Sequence, residues 1–182
     1  MELLPYLSMV LKFRDKSAAI RITDMNTVKE LGTNEWPIPS QNRMAILGAG
    51  LGGSAAVFSR IVNKNGEKVF GDIVGFEIDS RVAGKAMQNI RQFKMRNVVI
   101  KCADFMREDI SGFNIFYFNY PVIGIEFPGL MAPVLDRVRS GSVIFVADNP
   151  FIHDLFLKGG YHVAHRPEMM IGQSSFWTFI KI

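Results

Sequence analysis

The residues best placed to do chemistry are a cluster of glycines and the acids that follow it. Met44-Ala45-Ile46-Leu47 reads as an apolar strand, breaks into Gly48-Ala49-Gly50-Leu51-Gly52-Gly53, and resumes from Ser54 at helical spacing. A helix N-terminus offers unpaired backbone N–H groups and a positive dipole end, and glycines without Cβ let a ligand come close to that backbone. The expectation is a nucleotide-like cofactor. Gly48, Gly50, Gly52 and Gly53 satisfy both the G-x-G-x-G and the G-x-G-x-x-G spacing, so the turn by itself leaves the kind of cofactor open. Glu77 closes the next apolar run, Ile73-Val74-Gly75-Phe76, at the strand end where an acid can accept hydrogen bonds from two ribose hydroxyls. Its alternative is a solvent-facing acid. Asp79 stands where the cap of the following helix belongs.

These residues need a parallel sheet to bring them together, and the chain has the pattern for one. The stretch Ser54 to Val62 reads as a helix ended by Asn63-Lys64-Asn65-Gly66-Glu67, and Val82, Ala86, Ile90 and Phe93 recur at steps of three and four on a second helix. Asn97 to Cys102 and Asn114 to Phe118 read as the third and fourth strands. Phe127, Leu130, Met131, Val134, Leu135 and Val138 form a helical stripe that Ser140-Gly141 closes before a strand from Val143 to Ala147. Alternating strands and helices predict a doubly wound α/β domain with a mostly parallel, seven-stranded sheet. At the end, Tyr161 to Ala164 and Phe176 to Ile180 read as two strands with no helix between them, a terminal antiparallel pair at one sheet edge.

The chain resembles the class I S-adenosylmethionine-dependent methyltransferases. Ile46-Leu47-Gly48-Ala49-Gly50-Leu51-Gly52, Val74-Gly75-Phe76-Glu77-Ile78-Asp79 and Cys102-Ala103-Asp104-Phe105 come in that family's order and approximate spacing, over roughly residues 43 to 182. The resemblance implies a Rossmann-like fold, S-adenosylmethionine as cofactor and methyl transfer as activity. It implies a cofactor set of Gly48, Ala49, Gly50, Gly52, Glu77, Ile78, Asp104, Phe105 and Asn119. In that set the glycine turn takes the methionine end, Glu77 the ribose hydroxyls, and Asp104 with Phe105 the adenine. Asp104 is equally placed to cap a short helical turn. One position departs from the family, which usually has an acid two residues before the first glycine, where this chain has Ile46. That departure keeps two alternatives in view, an NAD(P)- or FAD-binding oxidoreductase and a non-catalytic module that binds S-adenosylmethionine. The short chain, Ala103-Asp104-Phe105 and the terminal strand pair weigh for the methyltransferase.

The fourth strand ends in Phe118-Asn119-Tyr120-Pro121, where many methyltransferases keep acceptor-facing residues. Asn119 and Tyr120 are the candidate catalytic residues: Asn119 can orient an acceptor through its carbonyl and Tyr120 can wall the transfer site. Their alternative is a strand-ending turn before Pro121. The order Asn-Tyr-Pro-Val is not the Asn/Asp-Pro-Pro-aromatic motif of enzymes that methylate amide or base nitrogens. A looser similarity, carried by Asn119 and by Asn149-Pro150-Phe151, is to the protein lysine methyltransferase branch.

Composition bounds the rest. With 182 residues, 48% of them hydrophobic and 21% charged, the chain suits one domain with one core, in which residues 1–42 form an N-terminal helical or cap segment, over the cofactor cleft or only over the sheet, and residues 43–182 the cofactor-binding domain. Met1-Glu2-Leu3-Leu4-Pro5 has no positively charged n-region, and the apolar stretch ending at Phe13 is too short to span a bilayer, so no membrane partner and a cytoplasmic location are expected. Cys102 is the only cysteine, which excludes an internal disulfide. The formal net charge is +4, with Arg81, Lys85, Arg91, Lys94, Arg96 and Lys101 uninterrupted by acids, a phosphate-facing stripe or a solvated helix face. His162 and His165, three apart on a strand, make no obvious metal pair, and no metal is expected. The acceptor is not legible, with a protein side chain or a small molecule favoured slightly over nucleic acid.

Overall fold

The computed structural model describes residues 42–62, 65–118, 127–147, 156, 159–165 and 176–182. Their elements in chain order are β1 (Arg43–Leu47), α1 (Gly53–Phe58), β2 (Asp72–Glu77), α2 (Ser80–Gln92), β3 (Val98–Cys102), β4 (Ile115–Phe118), α3 (Phe127–Asp136), β5 (Val143–Ala147), β6 (Tyr161–His165) and β7 (Phe176–Lys181). The seven strands form one sheet in the order β3-β2-β1-β4-β5-β7-β6. From β3 to β5 every pair is parallel, while β7 runs antiparallel to both β5 and β6. The expected terminal pair is present with one refinement: β7 is inserted beside β5, and β6 takes the edge.

Alternation along the strands sorts the core into two layers. On β1, Met44 and Ile46 pack toward α1 and α2 with Ile73, Ile100, Tyr117 and Phe145, whereas Ala45 and Leu47 pack with Phe116, Phe118 and the α3 residues Met131, Val134 and Leu135. Both faces of a parallel sheet are covered, which is why its strands read as continuous apolar runs. The strand order reverses at β1, between β2 and β4, and the carboxyl ends of these strands open the crevice where such sheets take their ligands.

Two expected helical stretches are shorter or absent. The first helix ends at Phe58 rather than Val62: Ser59 Oγ donates back to the Ala56 carbonyl at 2.8 Å, and Val62 instead forms a β-bridge with Lys68. The strict alternation of strand and helix also fails between β3 and β4, where residues 103–114 are turns. Asp104 and Asp109 each accept from the backbone N–H two residues on, Met106 and Ser111, a local bond that competes with helix. Phe105, Ile110 and Phe113 from this link fill the core in a helix's place.

Helix α2 is closed at both ends, the first of them by the cap its sequence calls for. Asp79 caps it, accepting from Arg81 N at 2.8 Å and Val82 N at 3.3 Å. Its far end is a Schellman motif, with Met95 N donating to Ile90 O and Lys94 N to Arg91 O, and Lys94 takes the left-handed position at φ +53°.

Candidate cofactor site

The loops after β1, β2 and β3 meet at one place. Gly48 N and Ala49 N both donate to the Phe76 carbonyl, at 3.1 and 2.8 Å, which lays the glycine turn across the end of β2. Gly52 N closes the turn on Ala49 O at 3.0 Å, with φ +53° at Gly50, a left-handed value that only glycine adopts freely. Gly48 and Gly52 are left-handed too, and Gly52 starts α1 without a side-chain cap. Ala103 N donates to the Glu77 carbonyl at 2.9 Å, and Cys102 stands opposite Glu77 in the β2–β3 register, so the third loop joins the first two.

Glu77 is the hub. Its Oε2 accepts from Gly50 N at 2.9 Å and its Oε1 from Asp79 N at 3.0 Å, so one half-buried carboxylate holds the glycine turn and the start of α2 together. An ionised carboxylate has about four acceptor sites, which leaves each oxygen room for one further donor. Ile78 beside it is 71% exposed, an apolar side chain on the surface next to the acid. Asp79 is held below the usual carboxylate range by the Arg81 guanidinium, at 3.2 Å, and by the two capping N–H groups.

Asp104 is half-buried on the loop after β3. Its Oδ1 accepts from Met106 N at 3.0 Å and its Oδ2 lies 3.5 Å from Arg107 Nε, so the cap reading of this residue is realised. Phe105 is 9% exposed and belongs to the core layer that includes Ile110, Phe113 and, from α3, Val134. Arg137 fixes this loop from the end of α3, donating to the carbonyls of Phe105, Met106 and Glu108. Ile46, at the position where an acid is usual, is fully buried among the α1 and α2 contacts. Asn119, Tyr120, Asn149-Pro150-Phe151 and His153 lie outside the described residues. The six cations of the acid-free run are all exposed on α2 and around the edge strand β3, with Arg81 paired to Asp79 and Lys101 to Glu108.

Two residues at this site escaped the sequence reading. A Cβ on Gly75 would stand 2.7 Å from Ala49 Cβ and 2.7 Å from Ile100 Cδ1, so this glycine is what lets the turn sit down on β2. The signal was a glycine inside an otherwise apolar strand. Asn89 on α2 donates Nδ2 to the Leu51 carbonyl at 3.1 Å. Its signal was weaker, one amide among the apolar positions of a helix.

The residues present fit an adenosyl cofactor. Among the described residues, a Cβ on Gly50 would meet nothing within 4 Å, and next to it lie a carboxylate with unused acceptor capacity and an exposed apolar side chain. Sheet order, glycine turn and strand-end acid together define a class I S-adenosylmethionine-dependent methyltransferase. The chain belongs to the protein-L-isoaspartate(D-aspartate) O-methyltransferase family, whose model matches residues 6–115. Its cofactor is therefore S-adenosylmethionine, and the oxidoreductase alternative falls away. Among solved structures, an S-adenosylmethionine-dependent O-methyltransferase from Thermotoga maritima superposes with a TM-score of 0.64 at 14% identity, over 100% of this chain and 72% of the other. The precorrin-6y C5,15-methyltransferase of Geobacter metallireducens gives 0.59 at 18% identity, over 90% and 92%. An RNA methyltransferase from Salinibacter ruber in complex with S-adenosyl-L-homocysteine gives 0.59 at 17%, over 87% and 93%. At these identities the likeness is one of fold. No curated protein sequence matches the chain.

Proposed function

We propose that the protein methylates a carboxyl oxygen on a protein acceptor, in keeping with the name of its family. The observation that carries the cofactor half of this reading is the Glu77 bridge, one carboxylate that organises the glycine turn at 2.9 Å and keeps acceptor capacity for a ribose. In this reading Gly48, Ala49, Gly50 and Gly52 seat the methionine end, Glu77 the ribose, and Ile78 and Asp104 the adenine. Phe105 acts from beneath, by holding the Asp104 loop against the core. Residues 43–182 form the cofactor domain, residues 1–42, of which 1–41 lie outside the described residues, cap it, and the lone cysteine suits a reducing cytoplasm.

When bound, the cofactor supplies a sulfonium methyl group with its leaving group built in. The chain's task is then positioning. A carboxylate acceptor arrives already ionised at neutral pH, so no residue has to remove a proton from it. Asn119 and Tyr120, at the end of β4, orient the acceptor oxygen and wall off water. The test is labelled S-adenosylmethionine with an isoaspartyl peptide, its aspartyl twin, a lysine peptide and RNA, followed by release of base-labile label. Base-labile label on the isoaspartyl peptide is the expected result, and label confined to the lysine peptide or RNA overturns the acceptor.

A further inference from the structure

The glycine turn is held from a third side, by a residue with no apparent reason to be polar. Asn89 lies on the face of α2 formed by Ala83, Ala86 and Ile90, and is 8% exposed. An amide placed there destabilises the fold unless its hydrogen bonds are made, and Nδ2 makes one, to Leu51 O at 3.1 Å. Leu51 is the third residue of the Ala49–Gly52 turn. The turn is thus fixed by the Phe76 carbonyl below, by Glu77 on the Gly50 amide, and by Asn89 on the Leu51 carbonyl.

We propose that Asn89 is a positioning residue for the cofactor. By holding the Leu51 carbonyl against α2 it fixes the Leu51–Gly52 peptide plane, and so the side of the turn presented to the ligand. An apolar residue of similar size would keep the packing of α2 but leave that carbonyl without its donor. Asn89 touches the turn and not the ligand, so its effect falls on cofactor affinity rather than on turnover at saturating cofactor. The inference rests on the turn being the cofactor's seat.

The experiment is calorimetric titration of S-adenosylhomocysteine into the full chain and into Asn89→Leu and Asn89→Asp, at about pH 8 and about pH 5.5, beside thermal melts. The expected result is about tenfold weaker binding for Asn89→Leu at both pH values. Asn89→Asp should bind at least as weakly at the higher pH, where a carboxylate faces the carbonyl, and recover toward the parent at the lower. A carboxyl in that buried setting reprotonates readily and then supplies an O–H donor. Glu77, the ionisable group on the other side of the turn, is present in all three proteins, so the ratio of variant to parent carries the signal. Should Asn89→Asp fail to fold, Asn89→Ser, with a shorter donor, should bind between Asn89→Leu and the parent. Variants that melt earlier but bind as the parent does overturn the proposal and leave the cofactor seat intact. A parent that does not bind S-adenosylhomocysteine overturns the seat itself, and the proposal with it.

Discussion

At the scale of single residues, Glu77 has two duties that one substitution cannot separate but two can. Removing the carboxylate takes away the proposed ribose acceptors and also the bonds to Gly50 N and Asp79 N. Glu77→Ala should weaken S-adenosylhomocysteine binding by about 1.5 to 3 kcal/mol, read as a roughly 10- to 150-fold rise in Kd. Glu77→Gln retains one acceptor oxygen and should fall between, and equal affinity in all three folded proteins would make Glu77 a structural bridge only. The glycines, Glu77 and Asp79 were legible because each is a residue type tied to a backbone need: left-handed φ, a strand-end acceptor, a helix cap. Phe105 was not, because an aromatic beside an acid reads the same whether it covers a ring or fills a core. Asn89 was hidden for a related reason, since periodicity marks the apolar face of α2 but says nothing about a polar exception within it.

Between elements, the contact that decides the site is β2 against the glycine turn. Gly75→Ala places a methyl 2.7 Å from Ala49 Cβ and Ile100 Cδ1, both packed in the core; the end of the Ile100 side chain can shift, but Ala49 cannot give way without moving the turn. We expect a loss of about 1 to 3 kcal/mol in stability, with weaker S-adenosylhomocysteine binding beyond what partial unfolding accounts for. The control is Gly84→Ala, in the middle of α2 with nothing within 4 Å of the new methyl, which should gain about 0.5 to 1 kcal/mol and leave binding alone. A Gly75→Ala protein as stable and as tight as the parent would remove the close approach from the argument. The strands were legible to within a residue or two because apolar runs bounded by breakers have one reading. The β3–β4 link was not, because its aspartate turns and spaced phenylalanines only acquire meaning once the strand order places them under α3.

Across the whole molecule, the C-terminal strands are tied to α3 by Tyr161, whose hydroxyl donates to the Leu135 carbonyl at 3.0 Å. Burial, with Asp136 adding to it, pushes the Tyr161 phenol above its ordinary value. A group that holds its proton more tightly when folded contributes stability that is full below the unfolded pKa of about 10 and is lost as pH rises past it. Tyr161→Phe should therefore lower Tm at neutral pH, and the gap to the parent should close above about pH 10. A gap that stays constant with pH would show that the Tyr161 phenol titrates alike in the folded and unfolded chain. The cofactor reading is tested at the same scale, because a ligand that joins the loops of β1, β2 and β3 stabilises every element they connect. At a hundred times its Kd, S-adenosylhomocysteine should add about 2.7 kcal/mol by mass action. For a domain of this size that is a rise in Tm of roughly 5 to 10 °C. NADH and FAD, whose pyrophosphates the Glu77–Gly50 bridge would meet with negative charge, should leave Tm unchanged. A shift with either dinucleotide and none with S-adenosylhomocysteine would mean that the turn takes a pyrophosphate after all.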